Sequence, residues 1–489
     1  MPQDTKLTFC GGVENVTGAN FLLEAAGKKI LVDCGLVQGF HFADEKNRMP
    51  FPYDPSTIDF LLVTHAHIDH IGRIPKLVSD GFRGKIFSTP ETFALARLML
   101  EDALKLIEDE CRRTGTLPLY ELKDVSAALS LWREIAYHES FPLSQDLIVY
   151  PKDAGHILGS AMFEITIGAE SVATDGTNPS SRTDRNTRTK FGTRRRLTTG
   201  QGTEPRRKTK IVFTGDLGNS PTPILRDTEV VTDADYLVME SVYGDRNHED
   251  QSLRRGNLKE IIIQTAKRKG TLIVPIFSLE KTQVLLYELH ELEEANEIPI
   301  VPVFLDSPLA IEVTKVYQAK RDNWNAEALA EKDIFRFPNL KYTSHSKESK
   351  DILRVSPPKI IIAGSGMSNG GRIIHHEINY LPGSQNTILF VGYQAAGSLG
   401  RQIQDGAKEV SINGQKIPVR AHVETISGYS SHKDSDHLIE FVSATAQTVK
   451  KVFVVMGEPK ASLFLVQRLR DYVGVDAMHP KEGETVELE

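Results

Sequence analysis

The sequence is short of the features that would set it apart from ordinary globular proteins. Its 489 residues include only 3 cysteines and 2 tryptophans. Cys10, Cys34 and Cys111 are odd in number and far apart, with no Cys-x-x-Cys pair. That excludes a disulfide framework, a zinc ribbon and a dithiol redox motif, and it leaves buried thiols in a reducing compartment. No run approaches the ~18 apolar residues of a membrane span, and Met1–Val13 lacks a basic stretch followed by a long apolar one; a cytoplasmic protein with no membrane partner is expected. Positive charge is not in excess: 58 Lys and Arg against 65 Asp and Glu give a net charge of −7. A uniformly basic nucleic-acid coat is therefore excluded, whereas a local groove is not, because phosphate binding draws on clustered cations.

Short apolar runs rich in Val and Ile, suited to buried strands, recur along the chain: Lys29–Asp33, Ile58–Thr64, Lys210–Thr214, Tyr236–Glu240, Thr271–Ile276, Ile300–Leu305, Lys359–Ala363, Thr387–Gly392 and Lys451–Met456. Helical patterns lie between several of them. Over Thr92–Arg113, Phe93, Ala96, Met99, Leu100, Ala103, Leu104 and Ile107 keep the three-and-four spacing of one buried face. Strands alternating with helices predict an α/β protein of two to four folding units, at about 150 residues each. One segment breaks the pattern. Ser171–Thr209 has few apolar residues and carries 10 Lys and Arg against 3 Asp and Glu, a net +7, and reads as a mobile, solvated insertion or as an electrostatic arm for nucleic acid.

The densest chemical signal is Thr64-His-Ala-His-Ile-Asp-His70, directly after an apolar strand. Catalytic zinc needs imidazole and carboxylate ligands held rigidly, with a position left open for water. His65 and His67, two apart, can reach one ion from the same side, while Asp69 and His70 can turn toward a second. His156, in Ala154-Gly-His-Ile-Leu-Gly-Ser160, and Asp216, in Phe213-Thr-Gly-Asp-Leu-Gly218, can close the site, with Asp216 bridging two cations. Taken alone they would be a loop histidine and a turn aspartate. Asp33, which ends Ile30-Leu-Val-Asp, can orient a ligand histidine from behind.

Asp33, the His65–His70 run, His156 and Asp216 resemble, in order and spacing, the metal motifs of the metallo-β-lactamase fold. Further segments resemble its β-CASP nuclease branch, which includes the endonuclease that cuts pre-messenger RNA 3′ ends and its bacterial and archaeal relatives. Met239-Glu-Ser-Val-Tyr-Gly-Asp-Arg246 looks like the first β-CASP motif, with Glu240 as its acid; Tyr429-Ser-Ser-His-Lys-Asp434 looks like the second, with His432; Val454-Val-Met-Gly-Glu-Pro459 looks like the third. The resemblance implies an αββα sandwich formed by residues 1–244 (with the basic insertion at 171–209) and 425–489, with a β-CASP domain at 245–424 inserted between. It also implies two zinc ions, or Mn²⁺, held by His65, His67, Asp69, His70, His156 and Asp216. Asp69, Glu240 and His432 would be catalytic, His432 protonating the leaving oxygen. Ala363-Gly-Ser-Gly-Met-Ser-Asn-Gly-Gly-Arg372 resembles the loop along the substrate backbone; its Ser365, Gly366, Met367 and Arg372 would meet single-stranded RNA, with a helix expected from near Gly370.

The implied activity is metal-dependent hydrolysis of RNA phosphodiesters in processing or decay, endonucleolytic, with 5′-to-3′ exonuclease action and a homodimer both left open. Two positions depart from the family. RNA-cleaving members carry His-Gly-Glu in the third motif, where this chain has Met456; a thioether is a poor Zn²⁺ or Mn²⁺ ligand, so the second metal site should be weakened. Glu280-Lys281 stands where relatives usually have Gly-Arg before Thr-Gln, keeping the charge without the planar fork. Met456 keeps two alternatives open, a DNA-processing β-CASP nuclease and a weakly active RNA-binding scaffold. A small-molecule thioester or lactam hydrolase shares the metal motifs but not the segments around Glu240 and His432.

Overall fold

A computed structural model describes residues 5–39, 43–168, 208–248, 251–395 and 397–489. Two seven-stranded sheets form the centre of the first unit. One runs, in spatial order, Thr485–Leu488, Thr5–Gly11, Asn20–Ala25, Lys28–Val32, Phe60–Leu62, Lys85–Ser88 and Trp132–Glu134; the other runs Ala477–Met478, Lys451–Val454, Tyr236–Met239, Thr209–Phe213, Ala161–Ile167, Leu147–Asp153 and Phe141–Ser144. The residues after 450 thus return to both sheets. Between the sheets, side chains interdigitate: Phe9 meets Phe453 at 5.3 Å between ring centroids, Phe21 meets Phe213 at 6.3 Å, and Leu23, Ile30, Phe163 and Ile211 are fully buried beside them. Each buried large apolar side chain of this layer contributes about 1.5–3 kcal/mol to the sandwich.

Helices cover the outer faces. Pro90–Thr114 starts at Thr89, whose hydroxyl accepts from Thr92 N–H, has Pro90 in its first turn and stops at Gly115, which is left-handed at φ 74°. It buries Leu95, Ala96, Leu100, Ala103 and Leu104, while Phe93, Met99 and Ile107 are half-buried at the margin of the expected face. The second unit is a six-stranded, all-parallel sheet in the order Leu340–Tyr342, Val303–Asp306, Lys359–Ala363, Thr271–Pro275, Thr387–Phe390 and His422–Thr425, again with helices between the strands. The architecture is mixed α/β throughout, as the alternation of strands and helices predicts. No helix among the described residues is long and apolar enough to cross a membrane.

Three expectations need correction. The strand expected at Ile300–Leu305 begins only at Val303: Pro302 has no N–H to give the ladder, and Ile300 is 74% exposed. The strand expected at Ile58–Thr64 is Phe60–Leu62, because the backbone N–H of Thr64 leaves the ladder for the Asp33 carboxylate at 2.8 Å. The helix expected near Gly370 starts at Ile373. The basic segment 171–209 lies, apart from its last two residues, outside the described residues; its flanking strands are antiparallel neighbours, with Ile167 opposite Thr209.

Candidate metal centre and proton donor

Each ligand-type side chain singled out in the sequence sits just beyond a strand end or in a tight turn. Asp33 follows Lys28–Val32, the His65–His70 run follows Phe60–Leu62, Asp216 follows Thr209–Phe213, and Glu240 follows Tyr236–Met239 directly. These are carboxyl ends of parallel neighbours, where a rigid sheet hands over to loops. Ile68–Ile71 forms one helical turn packed on the Asp33–Leu36 backbone, with Cys34 N–H donating to the His70 carbonyl at 2.8 Å and Leu36 N–H to that of Ile68 at 3.0 Å. Gly35 permits the approach: a Cβ there would lie 1.5 Å from the Asp69 carbonyl oxygen.

His65, His67, His156 and Asp216 converge. Nδ1 of His67 is 3.2 Å from Nε2 of both His65 and His156, and Asp216 Oδ2 is 3.4 Å from His65 Nε2 and 3.6 Å from His156 Nε2. The outer nitrogens are spoken for. His65 Nδ1 lies 3.0 Å from the Thr64 hydroxyl, which itself donates to Asp33 at 2.7 Å; His156 Nδ1 lies 3.1 Å from the Ser431 carbonyl; His70 Nδ1 lies 2.8 Å from Asp33 Oδ2. Each partner accepts a proton from Nδ1, which assigns the tautomer and leaves the Nε2 lone pair facing inward. Burial, reinforced by neighbouring histidines, holds His67 and His156 well below the usual imidazole range, so both are neutral donors.

Asp69 and His70 stand on the other side of Asp216. His70 Nε2 is 3.4 Å from Asp216 Oδ1 and 3.9 Å from Asp69 Oδ2. His70 Nε2 and Asp216 Oδ1 are both buried, and among the described residues neither has a hydrogen-bond partner. Orphaned buried polar atoms cost about 1–3 kcal/mol each, and facing lone pairs of this kind suit a shared cation. By donor type, burial and orientation, the six side chains fit divalent metal. Met456 is 2% exposed, left-handed at φ 49°, and reaches this region only from behind His70, where with Asp33, Glu240 and apolar side chains such as Phe21, Phe213 and Val238 it lines a void of about 10 Å³, about the least that holds one water; Asp69 and Asp216 do not line that void.

His432 arrives from the far side of the second unit. Residues 431–433 run along 217–219, with Asn219 N–H donating to the Ser431 carbonyl at 3.0 Å and Lys433 N–H to that of Leu217 at 2.9 Å. This holds His432 Nδ1 3.1 Å from both Glu240 oxygens and 3.9 Å from Asp216. Glu240, fully buried, also accepts Leu217 N–H at 2.6 Å. Burial would lower the His432 imidazole, but Glu240 and Asp216 outweigh it and raise it. Three supports went unnoticed in the sequence: Thr64, the Ser431 carbonyl, and His248, whose Nε2 lies 2.8 Å from the His432 carbonyl. Only His248, just past Asp245-Arg246, carried a local signal.

The carboxyl edge of the six-stranded sheet faces this centre. Its strand His422–Thr425 leads within seven residues to His432, and Lys281 Nζ, just beyond Thr271–Pro275, donates to the Tyr429 carbonyl at 2.8 Å. Ser365, Gly366 and Met367 lie on the loop at that edge, after Lys359–Ala363. Arg372 departs from expectation. Its guanidinium donates to Asp306 and to the Thr343 carbonyl, each at 2.7 Å, and to the Ser344 carbonyl at 2.8 Å, because the fully buried Asp306 needs a cation. It braces the loop from behind.

Three domain descriptions match the chain: a metallo-beta-lactamase superfamily domain over residues 22–174, a Beta-Casp domain over 282–403, and a Zn-dependent metallo-hydrolase RNA specificity domain over 416–480. The chain is similar to Ribonuclease TTHA0252 of Thermus thermophilus, at 33% identity over 93% of this chain and 94% of that one. It is also similar to transcription termination factor FttA of Methanosarcina mazei (28% identity, 99% of this chain, 72% of that one) and of Pyrococcus abyssi (29%, 99% and 71%). A solved Enterococcus faecalis protein, titled as being of unknown function, shares the fold at 12% identity with a TM-score of 0.56, covering 99% of this chain and 100% of that one.

Proposed function

The chain belongs to the β-CASP ribonuclease family of the metallo-β-lactamase fold, and from that premise we propose that it hydrolyses phosphodiester bonds of single-stranded RNA. Its fold is that of a metal-binding hydrolase; zinc as the ion, with Mn²⁺ as a substitute, is proposed on three inward imidazole nitrogens sharing one carboxylate. His65, His67, His156 and Asp216 would hold one ion, and Asp69, His70 and Asp216 a second, weaker one. When bound, such ions supply Lewis-acid stabilisation of charge on phosphoryl oxygens and lower the pKa of water. The proposed division is a metallo-β-lactamase unit of residues 1–244 and 425–489, and a β-CASP unit of residues 245–424.

The observation that carries the reading is the pairing of buried Glu240 with half-buried His432 beside Asp216. A departing ribose 3′ oxygen needs a proton, and an imidazolium kept charged by a carboxylate can deliver it, leaving a 5′ phosphate on the product. Glu240 orients and charges His432, while Ser365, Gly366 and Met367 offer a small-residue edge along which an RNA backbone can lie. Labelled single-stranded RNA and DNA of one sequence, offered with Zn²⁺ or Mn²⁺ and with an Asp69→Ala control, test this. RNA should be cut faster. Faster DNA cleavage would reverse the substrate assignment, and Met456 is the residue that would then favour the DNA-processing reading.

A further inference from the structure

A second group of ligand-type side chains lies at the other end of helix Lys281–Glu294. His290 and Glu294, one turn apart, share a face of that helix, and Glu331 approaches from just past the helix Ala326–Ala330. One ligand atom from each lies within 4.8 Å of the others, with His290 Nε2 3.7 Å from Glu294 Oε1. Ligands bound about 2.0–2.2 Å from one ion stand about 3–4 Å apart, which the His290–Glu294 pair matches. His290 is 4% exposed, and among the described residues neither ring nitrogen has a hydrogen-bond partner. A buried imidazole left with both an idle N–H and an idle lone pair needs an explanation. Glu331 is held in place from behind, its carbonyl accepting from the Arg321 guanidinium at 3.1 Å. A neutral imidazole with two carboxylates carries the charge that a divalent cation balances, and a nitrogen in the set favours a first-row transition ion over Ca²⁺ or Mg²⁺. The group shares no residue with the central cluster. His290 is nine residues beyond Lys281, about 13 Å along the helix, and Lys281 is the end that reaches Tyr429.

We propose that His290, Glu294 and Glu331 form a peripheral site for a divalent transition ion such as Zn²⁺, which clasps the last turn of that helix to the Glu331 segment. The test compares zinc bound per chain, at matched micromolar free Zn²⁺, in the unmodified protein, Glu294→Gln and His290→Leu. Glu294 is 64% exposed, so its variant keeps the fold even if His290→Leu does not. The unmodified chain should hold one zinc more than either variant, with affinity at the site falling about tenfold or more when a ligand is lost. RNA cleavage at saturating metal should be unchanged, and the extra zinc should persist in an Asp216→Ala chain, where the central cluster is damaged. Equal zinc in all three chains overturns the proposal. So does a melting difference between the unmodified chain and Glu294→Gln that follows pH but ignores added zinc, since that is the signature of a plain His–Glu ion pair.

Discussion

Replacing Met456 with histidine tests the centre at its weakest point. His70 Nε2 and Asp216 Oδ1 face each other at 3.4 Å without hydrogen-bond partners among the described residues, and Asp69 Oδ2 is 3.9 Å from the former. Met456, which shares a small void with His70, offers a thioether that gives a hard cation almost nothing. Backbone geometry favours the change as well. Residue 456 is left-handed, a conformation that costs most side chains about 1–2 kcal/mol and in which histidine is several-fold enriched. Even partners of ligands are worth about 10–100-fold in metal affinity, so a new imidazole ligand should tighten the second ion by at least that factor, about 1.4–2.7 kcal/mol. The assay is metal content after dialysis, read by mass spectrometry, alongside single-turnover RNA cleavage at limiting and saturating Mn²⁺. Met456→His should approach two ions per chain and cut faster at limiting metal, with the advantage shrinking at saturation; Met456→Leu should behave like the unmodified chain. Unchanged stoichiometry together with an unchanged limiting-metal rate would refute the assignment of residue 456 to the second ion.

Glu240→Gln should slow cleavage by about 10²–10⁴-fold while first-ion content stays constant, since it removes only the charge that holds the His432 proton; equal loss of metal would mean that Glu240 serves binding instead. Glu377 is fully buried under the Ser365–Met367 loop, where it accepts from Ser368, and burial raises its carboxyl from an ordinary 4.5 to about 8. The folded state therefore holds this proton more tightly than the unfolded one, so stability falls as pH climbs from the ordinary value through about 8. Glu377→Gln should accordingly raise the melting temperature at pH above 8, by an amount worth about 2–5 kcal/mol, and change little at pH near 4; a pH-independent effect would contradict this. Phe163→Ala, between the two seven-stranded sheets, should cost about 3–5 kcal/mol in denaturant unfolding. Arg372→Ala should destabilise through the stranded Asp306 carboxylate, by about 1.5–3 kcal/mol, rather than merely raising KM for RNA.

The parts of the fold legible in the sequence are those written locally. Strands buried on both faces, such as Tyr236–Met239 and Lys359–Ala363, appear as continuous apolar runs, and the His65–His70 run concentrates ligand chemistry in one turn. What escaped was set by distant partners. Thr5–Gly11 takes its place in the sheet between Asn20–Ala25 and the far-off Thr485–Leu488, and the strands from Phe141 to Ile167 alternate too weakly to stand out from turns. The same holds within the site. Thr64 reads as a strand-end residue until Asp33 is placed beside it, and Arg372 reads as a free cation until the buried Asp306 claims it. Glu280 stands out in sequence only as a departure from the family pattern, which does not show that it is buried, sits at positive φ and accepts from the Tyr317 hydroxyl.

Glu240 and His432 are neighbours in space but 192 residues apart along the chain. During synthesis at about 5–20 residues per second, His432 emerges some 10–40 s after Glu240. Throughout that interval the nascent polypeptide already contains the His65–His70 run, His156 and Asp216, yet it lacks the proton donor proposed above. On the proposed roles, such a chain stays inert toward the messenger RNA that encodes it until the second unit and residue 432 beyond it have been made. A full-length His432→Ala chain, which keeps every strand of both sheets, should accordingly leave labelled RNA intact while its first-ion content stays unchanged.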